Sequence, residues 1–216
     1  MEIPASVEEL DSQYRRPSGN LGRKIGGEMA RDHLPENLWT VARLDPRPSE
    51  RILEIGFGPG VAIAELAKVV TSGLVAGIDF SETMVEEASA RNAAAIQAGL
   101  VDLRYGDAAE LPFADASFDK AYSIHSIYFW PRPLDALREL QRVLKPGGML
   151  VITMLPKDKW PANAPGSPLA FGTAECIPYF GSELAEMMIT AGFHSTRIEA
   201  DEPSAGASNF SVVGVK

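Results

Sequence analysis

From Arg51 onward, short apolar segments alternate with helical ones, and this alternation restricts the fold more than any other feature of the chain. "RILEIG" reads as a strand, and "PGVAIAELAKVV" as a helix with Pro59 in its first turn, where a missing N–H costs nothing. "LVAGID" is a second strand. "SETMVEEASARNAAAIQAG" reads as one helix, with Ser81 as N-cap, Glu82, Glu86 and Glu87 early, and a stop at Gly99. "DLRYGD" and "FDKAYSI" are the third and fourth strands, separated by the turn "PFADAS". "PLDALRELQRVL" aligns Leu134, Leu137, Leu140 and Leu144 on one helix face and ends at "KPGG". "MLVITML" is uninterrupted and apolar, as a strand covered on both faces must be. A helix, "GSELAEMMITAG", and two closing strands, "STRIEAD" and "NFSVVGVK", complete the series. Short strands alternating with helices predict a parallel sheet with helices on both faces. Such sheets bind ligands beyond the carboxyl ends of their strands, so the residues just after each strand carry the functional signal.

Ahead of this block, "GGEMARDHLPENLWTVARL" has helical spacing interrupted by Pro35, which predicts a helix on either side of the proline. The first 20 residues are polar and read as irregular. Residues 1–45 are therefore assigned to an N-terminal helical lid segment and 46–216 to a single domain. The formal charge of −9, with no run of Lys and Arg longer than Arg15-Arg16, argues against a nucleic-acid partner. Cys176 is the only cysteine, so no internal disulfide forms. The acidic N-terminus lacks the apolar run of a signal peptide, and nothing approaches the ~18 apolar residues of a membrane span. These features together predict a cytoplasmic protein.

"LEIGFGPG" is the first post-strand element. A dinucleotide loop is G-x-G-x-x-G; here the glycines are Gly56, Gly58 and Gly60, and Val61 stands where the last glycine would be. Glu54 sits just ahead of them, where a carboxylate would favour a cationic ligand over a pyrophosphate. It either contacts that ligand or holds the glycine loop through the loop's N–H groups. Asp79 ends the second strand, about 20 residues beyond Gly60, the spacing of an acid that grips both ribose hydroxyls. "GDA", with Asp107 and Ala108, follows the third strand. An acid there accepts from an exocyclic adenine amine while a backbone N–H donates to a ring nitrogen. Loop, ribose acid and adenine acid together describe a nucleoside site that asks for no phosphate.

"LEIGFGPG", "GIDFSETMVEEA", "GDAAELPFADASFDKAYS" and "LRELQRVLKPGGMLVIT" resemble, in order, the successive motifs of the class I S-adenosylmethionine-dependent methyltransferases. The resemblance is close over about residues 51–153. It implies a Rossmann-like, doubly wound α/β sheet of seven strands, mostly parallel with the last antiparallel. It implies S-adenosylmethionine as cofactor, S-adenosylhomocysteine as product, and transfer to a small-molecule acceptor. Glu54, Gly56, Gly58 and Gly60 would form the methionine-side loop, and Asp79 would hold the ribose. Phe80 and Met84 would pack about the adenine, Asp107 and Ala108 would contact its edge, and Ser123 would lie near the methionine part.

Methyl transfer from a sulfonium is an in-line displacement that needs alignment and exclusion of water, plus a base when the nucleophile carries a proton. His125, just beyond Ser123, is the candidate base; its other role is to hold the following loop. Tyr128 is the candidate for orienting a substrate through its hydroxyl, while Tyr128, Phe129 and Trp130 equally suit a core. "SIHS" is not the Asn/Asp-Pro-Pro-aromatic tetrad of enzymes that methylate base amino groups or protein glutamine, so those substrates lose ground. His33 and His194 are assigned surface or packing roles, and Met187 and Met188 to the core. "YRRPSGNLGRKIGGEM" is either a lid over the cofactor or an exposed tail, and "PKDKWPANAPGSPLAFG" is a second candidate wall. Two rival readings are a non-catalytic nucleoside-binding module and an NAD-dependent oxidoreductase, the latter disfavoured by the glycine spacing. No metal-ligand cluster, H-E-x-x-H or G-x-S-x-G is present.

Overall fold

The computed structural model describes residues 12–159, 176–200 and 209–216. Two helices lead in, α1 (Gly19–Asp32) and α2 (Leu34–Leu44), followed by β1 (Arg51–Ile55), α3 (Val61–Ala67) and β2 (Leu74–Asp79). Helices α4 (Glu82–Arg91) and α5 (Ala93–Gln97) precede β3 (Val101–Tyr105) and β4 (Phe118–Ile124). A short 3₁₀ turn (Ile127–Phe129), α6 (Pro133–Val143), β5 (Leu144–Met154), a second 3₁₀ turn (Lys157–Lys159), α7 (Gly181–Thr190), β6 (His194–Ala200) and β7 (Phe210–Val215) follow among the described residues. The strands form one seven-stranded sheet in the order β3-β2-β1-β4-β5-β7-β6. Pairs from β3 through β5 are parallel, and β7 runs antiparallel to both β5 and β6. The strand order reverses between β1 and β4, so the crevice for a ligand opens beyond their carboxyl ends.

Alternation along the strands sends side chains to two cores. Leu53, Ile55, Ala76, Ile78, Leu150 and Ile152 join Leu137 and Leu140 of α6 and Leu184 and Met188 of α7 on one face. Ile52, Val75, Tyr122 and Val151 join Leu44 of α2, Ile63 and Leu66 of α3 and Ala88 of α4 on the other. This is the two-faced covering expected from the apolar strands. The same alternation puts Glu54 on the face of Ile52 and Tyr122, a lone carboxylate in an apolar row.

Several boundaries differ from those read in the sequence, each for a local reason. The break between α1 and α2 falls at His33, and Pro35 is accommodated in the first turn of α2, where its missing N–H has no helical partner. Residues 12–15 form a helical turn and α1 already begins at Gly19, so the first 20 residues are not irregular throughout. Pro59 lies outside α3, because Gly60 has φ 73° and cannot continue a right-handed helix. The single helix over 81–99 divides at Asn92, whose buried amide donates both to Ala88 O and to Gly60 O. A side chain so engaged competes with the helix ladder. β5 begins earlier, at Leu144, which pairs with Phe118 ahead of an irregularity in register. Most of "PKDKWPANAPGSPLAFG" lies outside the described residues.

Candidate functional site

The chain leaves β1 into a loop in which Gly56, Gly58 and Gly60 have φ of 71°, 50° and 73°. These are left-handed conformations that side chains other than glycine rarely adopt. Gly56 and Gly60 are excluded from substitution twice over. A Cβ on Gly56 would lie 2.5 Å from the Ser126 Cβ, and one on Gly60 would lie 2.7 Å from the Ala88 Cβ. The Gly56 N–H donates to Ile78 O (2.8 Å), and the Gly58 N–H to Asp79 Oδ2 (2.8 Å). Asp79 Oδ1 accepts from the Ser81 N–H (2.8 Å). Asp79 thus ties the glycine loop to the start of α4. Burial pushes its carboxyl up to about 6, against the opposing effect of these N–H bonds.

Glu54 is buried and accepts a 2.7 Å hydrogen bond from the Tyr122 hydroxyl on the adjacent strand. Burial pushes the Glu54 carboxyl up to about 8, the Tyr122 bond opposes, and Asp79 nearby adds to the rise. No described hydrogen bond joins Glu54 to the glycine loop; its partner is Tyr122. Asp107 Oδ1 accepts from the Ala109 N–H (2.8 Å), and Arg132, which also reaches Glu110, donates to its Oδ2 at 3.3 Å. Phe80 is 44% exposed and stacks on Tyr105 with ring centres 6.0 Å apart. The Arg16 guanidinium lies 4.5 Å above the Phe80 ring and donates to the Tyr105 hydroxyl. Met84 is buried against Gly26, where any Cβ would collide with its methyl. Ser81 caps α4 as expected by accepting from the Met84 N–H, and its own hydroxyl donates to Pro17 O. With the Arg23–Glu86 ion pair, these contacts seat α1 and the segment before it on α4.

Part of this network borders a cavity of about 440 Å³, within the usual size range of small-molecule sites. Its wall includes Glu54, Gly56, Gly58, Asp79, Phe80, Met84, Asp107, Ala108, His125 and Tyr128. Gly60 and Ser123 are not in the wall. Gly60 packs on α4, and the fully buried Ser123 bonds the Ser126 hydroxyl (2.6 Å), which itself lines the cavity and donates to Ile55 O. Tyr14, Arg15 and Pro17 enter the wall from the N-terminal segment.

The other end of the cavity lies beyond β4 and β5. His125 holds φ 51° and donates its backbone N–H to Thr153 O. Its Nδ1 is 3.1 Å from the Tyr128 hydroxyl, which accepts from the Leu155 N–H. Burial and the neighbouring His33 ring, 5.0 Å away, push His125 down to about 3, so it is neutral at physiological pH. Burial also lowers His33, against Glu36 and Asp32. His33 is thus a cavity residue paired with His125, contrary to the surface or packing role read from the sequence. Glu36, Asn37 and Asn209 also border this end and were missed. A buried hydroxyl series, Thr40 to Thr153 to Ser211, fastens α2 over the ends of β5 and β7. No sequence motif marks these residues; polar side chains on an otherwise amphipathic α2 were the available signal.

A family model described as a methyltransferase domain matches residues 53–152. The O-methyltransferase resE of Aspergillus sclerotiorum is 37% identical over 155 residues, which cover 70% of this chain and 58% of that protein. The uncharacterized methyltransferase YdaC of Bacillus subtilis is 30% identical over 171 residues, covering 79% of this chain and 86% of that one. The chain spans little more than half the length of the first curated relatives it matches, 58% and 54%. A solved SAM-dependent methyltransferase from Aquifex aeolicus shares the fold, with TM-score 0.67 at 21% identity, covering 98% of this chain and 99% of that one. With its strand order and glycine loop, the chain belongs to the class I S-adenosylmethionine-dependent methyltransferases.

Proposed function

We propose that this protein transfers a methyl group from S-adenosylmethionine to a small-molecule acceptor. The observation that carries the reading is a single cavity bordered at one end by the glycine loop, Asp79 and Asp107 and at the other by His125 and His33. The donor set suits a nucleoside. Asp79 keeps lone pairs on both oxygens after its two backbone bonds, and these accept from ribose hydroxyls. Asp107 and the Ala108 N–H take the adenine edge, with Phe80 and Met84 beside the ring. Glu54 and the closely approaching glycine-loop backbone border the amino-acid end, and Ser123 acts there through Ser126. When bound, S-adenosylmethionine supplies an activated methyl whose bonding electrons leave with sulfur as the acceptor's lone pair arrives.

His125 accepts the acceptor's proton in this reading. That requires the tautomer in which Nδ1–H donates to the Tyr128 hydroxyl and Nε2 presents its lone pair. Tyr128, held by the Leu155 N–H, then orients the His125 ring. Burial keeps His125 deprotonated throughout the physiological range and makes it a weak base, so its contribution rests on alignment with the acceptor's proton. Residues 1–45 act as a lid over the 46–216 domain, supported by Arg16 on Phe80, Pro17 on Ser81 and Arg23 on Glu86. Among the described residues no helix is long and apolar enough to cross a membrane. A cytoplasmic setting without a nucleic-acid partner accords with the single cysteine and the acidic charge. The test is calorimetric titration with S-adenosylmethionine, S-adenosylhomocysteine and NAD. Micromolar binding of the two sulfur nucleosides is expected; NAD binding without response to either sinks the reading.

A further inference from the structure

Two polar atoms at the far end of the cavity stand out from the otherwise satisfied interior. Among the described residues, Glu36 Oε2 and Asn209 Oδ1 are the buried side-chain oxygens without a hydrogen-bond partner. Both residues line the cavity, and Asn209 is only 2% exposed. They are joined to each other, because Asn209 Nδ2 donates to Glu36 Oε1 at 3.1 Å. The pair is also held in place. Thr40 donates to the Glu36 carbonyl and is itself bonded to Thr153, and Ser211, two residues after Asn209, closes the same series. Native interiors rarely leave buried acceptors unmatched, so two of them on hydrogen-bonded neighbours in a cavity wall point to a donor that the protein's own side chains do not supply.

We propose that Glu36 and Asn209 anchor a protonated amine on the methyl acceptor. An ammonium brings three donors and no acceptor, which matches two orphaned oxygens, one of them on a carboxylate. A hydroxyl brings one donor together with lone pairs that would need donors of their own. The nearby imidazoles of His33 and His125 are neutral and do not repel a cation. A nitrogen held as ammonium has no lone pair, so the methylated atom lies elsewhere in the same molecule, presented past His125. This inference rests on the methyl-transfer reading for its purpose but not for its test.

The test compares 2-phenylethylamine, protonated at pH 7.5, with neutral 2-phenylethanol by calorimetry, on protein with and without S-adenosylhomocysteine. The amine is expected to bind at least about tenfold tighter, as charge-assisted bonds do relative to neutral ones. Glu36→Gln and Asn209→Leu should each erase most of that preference while S-adenosylhomocysteine affinity changes less than twofold. Equal affinity for the two probes, absence of amine binding, or a preference that survives both substitutions overturns the anchor. If one variant unfolds, the other decides the matter, measured with S-adenosylhomocysteine filling the glycine-loop end. A protein that ignores S-adenosylhomocysteine yet prefers the amine upholds the anchor and removes methyl transfer instead.

Discussion

The two ends of the cavity are built differently. At the glycine-loop end every acid is already satisfied by its own neighbourhood: Asp79 by Gly58 and Ser81, Asp107 by Ala109, and Glu54 by Tyr122. The histidine end joins residues far apart in the chain, His33 and Glu36 before β1, His125 after β4 and Asn209 ahead of β7, and it leaves two oxygens unmatched. One end is set before any ligand arrives. The other keeps two unmatched acceptors. On the proposed reading, the first end holds a constant cofactor and the second a particular acceptor.

The comparison breaks first, if it breaks, on pH. Glu54 and Asp79 in the folded chain hold protons up to about 8 and about 6, above the ordinary carboxylate range. The folded state therefore binds more protons than the unfolded one between roughly pH 4.5 and 8, so stability falls as pH rises through that window. Denaturant titrations at pH 5 and 8.5 should differ by on the order of 5 kcal/mol. Glu54→Gln, which can still accept from Tyr122, should flatten most of the difference; an unchanged profile contradicts a desolvated Glu54. Next, Asp79→Ala frees two backbone N–H groups and should weaken S-adenosylhomocysteine by about 100-fold in calorimetry. It should leave the amine preference of the other end intact, and loss of both would mean that the ends are not separable.

His125→Ala should lower turnover at least about tenfold with cofactor affinity nearly unchanged. Because His125 is already neutral, the wild-type pH–rate profile should show no inflection near 6.5 from this group. Tyr128→Phe, which removes the hydroxyl that orients the His125 ring, should reproduce part of the loss. The smallest effect is expected from Arg16→Ala, which removes a cation over an exposed ring worth about 0.5–1 kcal/mol. S-adenosylhomocysteine affinity should fall two- to fivefold, and no change would make the N-terminal segment a passive cover.

The same contrast explains what was legible in the sequence. Strand alternation, the glycine triplet, Asp79 and Asp107 are local signals, each within a few residues of a strand end, and the sheet places them around one cavity. Ser123, expected near the methionine part, is fully buried and bonds Ser126, whose hydroxyl reaches the cavity wall; that through-bond arrangement is not written in the strand pattern. The division of the 81–99 helix was hidden because Asn92 reaches back to Gly60, a contact that periodicity does not encode. His33 and Asn209 were hidden for a stronger reason. Their neighbours are set by how α2 crosses the sheet and by the reversed direction of β7.

That reversed strand has an evolutionary corollary. Since β7 runs against its neighbours, Asn209 enters at the rim where β4 and β5 finish, opposite residues contributed by α2. On the proposed reading, two of the residues that set acceptor choice, Glu36 and Asn209, thereby sit in segments flanking the stretch from Arg51 to Met154, while His125 sits within it. Selection can exchange those flanks, or add to them, without disturbing the shared chemistry between. A lineage diversifying its substrates would accumulate change there first.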